Sequence, residues 1–165
     1  MEIERKFLIK DLSKLDLNKF IYKEICQDYL YVDKFTAIRK RKIVQDNITK
    51  FFYTVKTGKK GIAINEFENE ITKEIYENLH KNPNYNTIQK RRYIITYLND
   101  LVIELDVFYG KYEGIAFAEI EYKDEEQAKT LALPDWFGKE ISNTVSNADM
   151  AILSKDIILK KLELE

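Results

Sequence analysis

Residues 2–9 read Glu2-Ile-Glu-Arg-Lys-Phe-Leu-Ile9. In an extended strand successive side chains point to opposite faces. Glu2, Glu4 and Lys6 then share one face, while Ile3, Arg5, Phe7 and Ile9 share the other. The second face is mostly apolar and suits a core. The first carries two acids and a base in a row, for which solvent exposure is the simplest account.

The alternation returns along the chain. Extended segments are expected at 2–9, 27–32, 36–44, 50–57, 63–71, 87–97, 101–109 and 116–123, each rich in Ile, Val, Tyr, Phe or Thr. Asp46-Asn47, Gly58-Lys-Lys-Gly61 and Asn99-Asp100 read as turns between them, and Tyr109 to Gly114 turns into the last. Helices are expected over 12–20, over 73–80 before Asn82-Pro83, over 125–131 behind the capping-box spacing of Asp124 and Gln127, and over 147–162. In the last, Met150, Leu153, Ile157, Ile158 and Leu162 form a stripe suited to core packing. The fold class is α+β and β-dominated, an antiparallel barrel or strongly curved sheet with a few peripheral helices.

Composition narrows the function classes. The 165 residues read as one domain, 1–163, with Leu164-Glu165 repeating Leu162-Glu163 in the manner of a cloning scar. Lys and Arg number 27 against 28 Asp and Glu, a net charge of −1, which argues against nucleic-acid binding through a broadly basic surface. The single cysteine, Cys26, cannot form an intrachain disulfide and fits a reducing compartment. With His80 the only histidine, a Cys-His catalytic pair or zinc cluster is poorly supplied. No apolar run approaches the roughly 20 residues of a membrane span, and the acidic start does not resemble a signal peptide. The chain is expected to be soluble and cytoplasmic, a monomer or homodimer, with no nucleic-acid or membrane partner.

Charged pairs two residues apart recur on strand after strand: Arg39 and Arg41, Glu66 and Glu68 (with Glu70 beyond), Lys90 and Arg92, Glu104 and Asp106, Glu119 and Glu121, with Lys56 alone on its strand. Surface strands usually mix in Thr, Ser, Gln and Asn, whereas here whole faces are acidic or basic. If these faces line the inside of a barrel, eight acids (Glu2, Glu4, Glu66, Glu68, Glu104, Asp106, Glu119, Glu121) and six bases (Lys6, Arg39, Arg41, Lys56, Lys90, Arg92) lie together. Such an interior is costly when dry and empty. It makes sense around water, divalent cations and a polyanion. Carboxylates suit Mg²⁺ or Mn²⁺, and Arg forks and Lys ammonium groups suit phosphate oxygens. No Gly-rich phosphate loop is present, so side chains must hold the phosphates.

Glu2-Ile-Glu4-Arg-Lys6 matches the ExExK signature of the CYTH family, the triphosphate tunnel metalloenzymes. The ordered set that follows (Arg39-x-Arg41, Lys56, Glu66-x-Glu68, Lys90-x-Arg92, Glu104-Leu-Asp106, Glu119-x-Glu121) extends the resemblance. Asp135-Trp-Phe-Gly138 with Glu140 and Ile141 resembles the tail of small bacterial members, so that the resemblance spans residues 2 to 151. It implies an eight-stranded antiparallel β-barrel enclosing a tunnel, working on triphosphates with Mg²⁺ or Mn²⁺. It implies metal binding by Glu2, Glu4, Asp106, Glu119 and Glu121, and a phosphate grip by Lys6, Arg39, Arg41, Lys56, Lys90 and Arg92. Lys6, Glu4, Glu68 and Glu104 are the catalytic candidates. Glu66 joins Glu68 and Glu104 as a further tunnel acid that holds a second metal or positions water. Tyr29 sits where relatives carry a Tyr in a Gln-x-Tyr-Leu stretch, as a tunnel hydrogen bond or a packing group. Small members often carry Tyr-x-Asn, with a lysine beside the Asn, near the C-terminal helix. Here Val145-Ser-Asn-Ala148 keeps only Asn147, as a helix cap, and gives no ground to expect substrate contact or tunnel plugging from that segment.

The substrate most in keeping with the compact bacterial branch is inorganic tripolyphosphate. A class IV adenylyl cyclase is the alternative, though such enzymes commonly place His-Phe before ExExK, and here only Met1 precedes it. Thiamine triphosphate hydrolysis needs a ring-binding surface. Trp136 could stack on a ring, but reads rather as a hydrophobic anchor. A non-catalytic polyphosphate- or nucleotide-binding module would share the bases without needing ExExK or the Glu119/Glu121 pair. A structural protein would carry the charged faces outside.

Overall fold

A computed structural model describes residues 3–59 and 63–164. Glu2 therefore lies outside the described residues, as do Lys60 and Gly61 of the expected Gly58–Gly61 turn. Eight strands form one sheet: β1 Ile3–Leu8, β2 Ile21–Val32, β3 Thr36–Gln45, β4 Ile48–Lys59, β5 Ala63–Ile71, β6 Ile88–Thr96, β7 Val102–Tyr109 and β8 Ala116–Tyr122. Their order is β1-β8-β7-β6-β2-β3-β4-β5 and every pairing is antiparallel. Four short helices follow the strands in places: α1 Lys73–Asn78, α2 Glu125–Thr130, α3 Asn147–Ile152 and α4 Lys155–Lys161.

The sheet makes a barrel-like wall that hydrogen bonds do not close. β1 and β5 stand at its two ends. The second edge of β1 is instead taken by residues 138–142, through Gly138 N–H to Leu8 C=O at 3.0 Å, Leu8 N–H to Lys139 C=O at 2.8 Å and Ile141 N–H to Lys6 C=O at 2.8 Å. A side chain at Gly138 would place its Cβ 2.4 Å from the Leu8 carbonyl oxygen, so the approach requires glycine.

Two apolar clusters flank this wall. On the outer face, Tyr93, Ile95, Ile103, Leu105, Ala118 and Ile120 pack under α2, the 12–20 segment and Trp136-Phe137. Trp136 is thus a half-buried anchor, edge-on to Phe137 at 4.8 Å. On the inner face, Leu8, Tyr29, Ile88, Phe108 and Phe117 pack against Val145, Met150, Ile158 and Leu162. Each of Leu8, Ile88, Phe108 and Phe117 stands two residues from Lys6, Lys90, Asp106 or Glu119, on the same strand and the same face. The concave face is therefore charged along one part and apolar at one end, where α3 and α4 fill it. Leu164 adds to that cluster and donates its N–H to Leu159 C=O at 2.8 Å.

The helices depart most from expectation. Residues 12–20 form a loop with one 3₁₀ turn, Leu17–Lys19, capped by Asp16. Leu12, Leu15, Leu17 and Phe20 reach the outer cluster without a helix. β2 begins at Ile21 rather than at residue 27, because its first half pairs with β6 from Ile21 opposite Ile94 to Gln27 opposite Ile88. The 147–162 helix is broken in two. Asn86 Nδ2 donates to the carbonyls of Met150 and Leu153, and the Tyr112 hydroxyl donates to Met150 C=O, so the end of α3 is satisfied from outside the helix. Ser154 then caps α4 at Ile157 N–H. Asp46 and Asn47, with φ of 51° and 65°, make the tight β3–β4 hairpin. Among the described residues no helix is long and apolar enough to cross a membrane.

Candidate active site

The strand registers bring the charged pairs onto one face. Glu4 stands opposite Glu121, Lys6 and Glu104 opposite Glu119, Arg92 opposite Asp106, Arg41 opposite Gln27, Arg39 opposite Tyr29 and Thr54, and Lys56 opposite Glu66. Residues directly opposite in an antiparallel pair share a face, with Cβ atoms about 4.5–5.5 Å apart.

One flank is tightly bonded. Lys90, fully buried, donates from Nζ to Asp106 Oδ2 at 2.7 Å. Arg92 forks onto the same carboxylate, Nε to Oδ1 at 2.7 Å and Nη2 to Oδ2 at 3.0 Å, and also reaches Glu104 at 3.0 Å. Burial works to raise the Asp106 pKa, but Lys90 and Arg92 outweigh it and hold the carboxyl well below the usual carboxylate range. Burial, with Arg92 and Arg41 nearby, pushes the Lys90 pKa down against the pull of Asp106.

The other flank is loose. Arg39 Nη2 is 4.0 Å from Glu68, whose Oε2 accepts from the buried Thr54 hydroxyl at 2.8 Å, and Lys56 is 3.8 Å from Glu66. Glu66 and Glu68 side chains remain more than a third exposed. Burial and Arg39 lower the Lys56 pKa, while Glu66 and Glu4 pull it back.

Between the flanks lie two incompletely answered guanidinium groups. Arg39 Nε is buried with no hydrogen-bond partner. Arg41 is buried, forms no ion pair among the described residues, and donates from Nε to Gln27 Oε1 at 2.8 Å. Burial together with Arg39 and Arg92 lowers its pKa to about 10. At the rim, Glu4, Glu104, Glu119 and Glu121 line a cavity of about 480 Å³. Lys6 sits between rim and apolar end, its Nζ 3.9 Å from Glu119 and 3.4 Å from the Val145 carbonyl.

The residues expected from sequence thus fall into three groups. Lys6, Arg39, Arg41, Lys56, Lys90 and Arg92 converge on the concave face. Glu4, Glu104, Glu119 and Glu121 form the rim, while Asp106 lies deeper, with both oxygens bonded to Lys90 and Arg92. Glu66 and Glu68 stand on the β5 wall. Among the described residues no three His, Cys, Asp or Glu side chains converge closely enough to hold a metal ion. Tyr29 is buried in the inner cluster, and its hydroxyl also accepts from Gln27 Nε2 at 3.4 Å.

Sequence reasoning missed Gln27, Thr54 and the segment before α3. Gln27 and Thr54 each stand two residues from a recognised site residue (Tyr29 and Lys56), which is the signal that would have found them. Asn147 is the first residue of α3, not its cap: Ser146 caps the helix, in a capping box with Asp149. That frees the Asn147 side chain, whose Oδ1 accepts from Lys90 Nζ at 3.3 Å. The segment does plug the interior, through Val145, Asn147 and Met150, without the Tyr and Lys of the family pattern.

Compared with known protein families, the chain matches the CYTH domain over residues 1–149. It is similar to an inorganic triphosphatase of Acetivibrio thermocellus, 34% identical over 145 residues that cover 86% of this chain and 85% of that protein. An inorganic triphosphatase of Nitrosomonas europaea is 29% identical, over 86% of this chain and 89% of the relative. Among solved structures, the crystal structure of the inorganic triphosphatase NE1496 superposes with a TM-score of 0.68 at 26% identity, over 93% of this chain and 96% of that one.

Proposed function

The chain belongs to the CYTH family, and from that premise we propose that it hydrolyses inorganic tripolyphosphate on the concave face of its sheet. The observation that carries the reading is the pair of buried guanidinium groups, Arg39 and Arg41, which among the described residues no carboxylate meets at hydrogen-bond distance. Charges so placed are costly unless an anion answers them, and planar forks suit phosphate oxygens. The named activity of the two curated relatives supports the same reaction class.

We also place a divalent cation, Mg²⁺ or Mn²⁺, at the acidic rim. Glu4 stands against Glu121 and Glu104 against Glu119 on paired strands, with Arg92 on Glu104 and Lys6 on Glu119, so four carboxylates gather at a rim where a cation would ease their mutual repulsion. Oxygen donors fit such a hard ion, and Glu2, outside the described residues, is a further carboxylate of the ExExK signature. When bound, the ion would neutralise charge on the phosphate chain and lower the pKa of bound water. The chain's own residues do the rest. Lys6, Arg39 and Arg41 hold and align the phosphates. Lys90 and Arg92, fixed by Asp106, keep the bed of the site rigid. A water oxygen attacks the terminal phosphorus in line, the bridging P–O bond breaks, and pyrophosphate leaves with the electron pair. Glu68, held by Thr54, or Glu104 takes the water's proton.

The test is phosphate release from tripolyphosphate, ATP and thiamine triphosphate, each with Mg²⁺, Mn²⁺ or EDTA, with cyclic AMP assayed in the ATP samples. Rapid release from tripolyphosphate that EDTA stops is expected, and Glu4→Gln should abolish it with the fold intact. Cyclic AMP with pyrophosphate would overturn the reading in favour of a cyclase. Binding without turnover of any substrate would leave a phosphate-binding module.

A further inference from the structure

Two arginines of the concave face are held in opposite ways. Arg92 is gripped by a carboxylate, Asp106, through Nε and Nη2. Arg41 is gripped at the same Nε by a neutral amide, Gln27 Oε1, at 2.8 Å. Gln27 is wholly buried and stands directly opposite Arg41 in the β2–β3 register. Its orientation is fixed by chemistry, since a guanidinium only donates and must meet the amide oxygen. The amide nitrogen then points to the Tyr29 hydroxyl, 3.4 Å away. Tyr29 is 3% exposed and packed in the inner cluster, so the chain Tyr29–Gln27–Arg41 is anchored at its far end.

Resting on the reading of this face as a phosphate site, we propose that Gln27 is a positioning residue that aims Arg41 while leaving its charge unneutralised for the phosphate chain. A glutamate in its place would have nearly the same shape and would make a stronger, charge-assisted bond. It would also cancel the positive charge that the substrate needs. The groups around Arg41 agree with this division: Arg39 and Arg92 repel it, and Glu68 and Tyr29 act on it only from a distance. Holding an uncompensated guanidinium among two others is a cost to the folded chain that a purely structural contact would not carry.

The experiment is calorimetric titration of tripolyphosphate in EDTA and low salt, with melting curves, on wild type and Gln27→Glu, followed by kcat and KM with Mg²⁺. Gln27→Glu should melt no lower than wild type yet bind at least tenfold more weakly. Its KM should rise in step while kcat stays within about threefold, the pattern of lost uniform binding. A purely structural Gln27 predicts unchanged binding in that variant, and binding within twofold of wild type would overturn the proposal. So would wild-type protein that fails to bind tripolyphosphate at all. Wild type that binds but does not hydrolyse would sink the proposed activity alone, and the binding comparison would still decide the role of Gln27. If Gln27→Glu does not fold, Gln27→Asn, too short to reach, is compared in wild-type and Arg41→Ala backgrounds. Weakening of threefold or more is expected in the first and none in the second. Equal weakening in both would overturn the proposal.

Discussion

The two flanks of the concave face are written alike in sequence and built differently. Lys90-x-Arg92 and Glu104-x-Asp106 meet at 2.7–3.0 Å around the buried Lys90 and Asp106, and each of the four charges has a partner. Arg39 faces Glu68 at 4.0 Å and Lys56 faces Glu66 at 3.8 Å; the side chains of Lys56, Glu66 and Glu68 are more than a third exposed, and the Nε of the buried Arg39 is unanswered. Position in the sheet makes the difference. β6 and β7 are central strands backed by the outer apolar cluster, whereas β5 is an end strand with nearly all its described side chains exposed. The first flank is a fixed bed, and the second leaves charge incompletely paired.

Replacing Asp106 with alanine should separate the flanks most sharply. It strips the buried Lys90 of its carboxylate and should cost about 3–5 kcal/mol in urea unfolding. A loss under about 1 kcal/mol would put the two flanks on a par. The acid limb sharpens the same point. Asp106 lies below its ordinary value of 3.8 when folded, so its contribution is present above that pH and is lost as pH falls through the lower folded value. Wild-type stability should therefore drop below about pH 4 with a component that Asp106→Ala lacks.

Arg39→Gln comes next. It should weaken tripolyphosphate binding about tenfold, or about 1.4 kcal/mol, while the melting temperature barely moves, because no close ion pair is broken. A large drop in melting temperature would show that the loose flank is scaffold too. Glu66→Gln is the smallest change. Its partner, Lys56, is 3.8 Å away with both side chains about two-fifths exposed, and the loss should stay under about 1 kcal/mol.

Strand faces were legible because period-two alternation survives whatever the strands pair with. Arg39 and Arg41, or Glu104 and Asp106, could be placed on one face from spacing alone. What alternation does not encode is which strand lies beside which. The start of β2 was hidden because Lys23 and Glu24 blur the alternation, and pairing with β6, joined by β3 from Glu24 on, makes Ile21–Cys26 a strand. The break at Leu153 was hidden because Ser154 reads as a polar helix position, and the groups that end α3 come from Asn86 and Tyr112, far away in sequence. Gln27 was hidden for the same reason, since its meaning depends on standing opposite Arg41.

The tie between β1 and residues 138–142 has a consequence for how the molecule is made. β2 to β5 follow closely in sequence and pair in chain order, so Arg39, Arg41 and Lys56 can be set in place by local contacts while the chain is still being synthesised. β1 emerges first, yet both of its neighbours, β8 and the 138–142 segment, come late, with Lys6 bonding Ser142 across 136 positions. Contacts so distant in sequence form slowly. The strand carrying Glu4 and Lys6 must wait for β8 and residues 138–142 before it has a neighbour. A nascent chain therefore gathers its buried arginines well before Glu4 and Lys6 of β1 can face them.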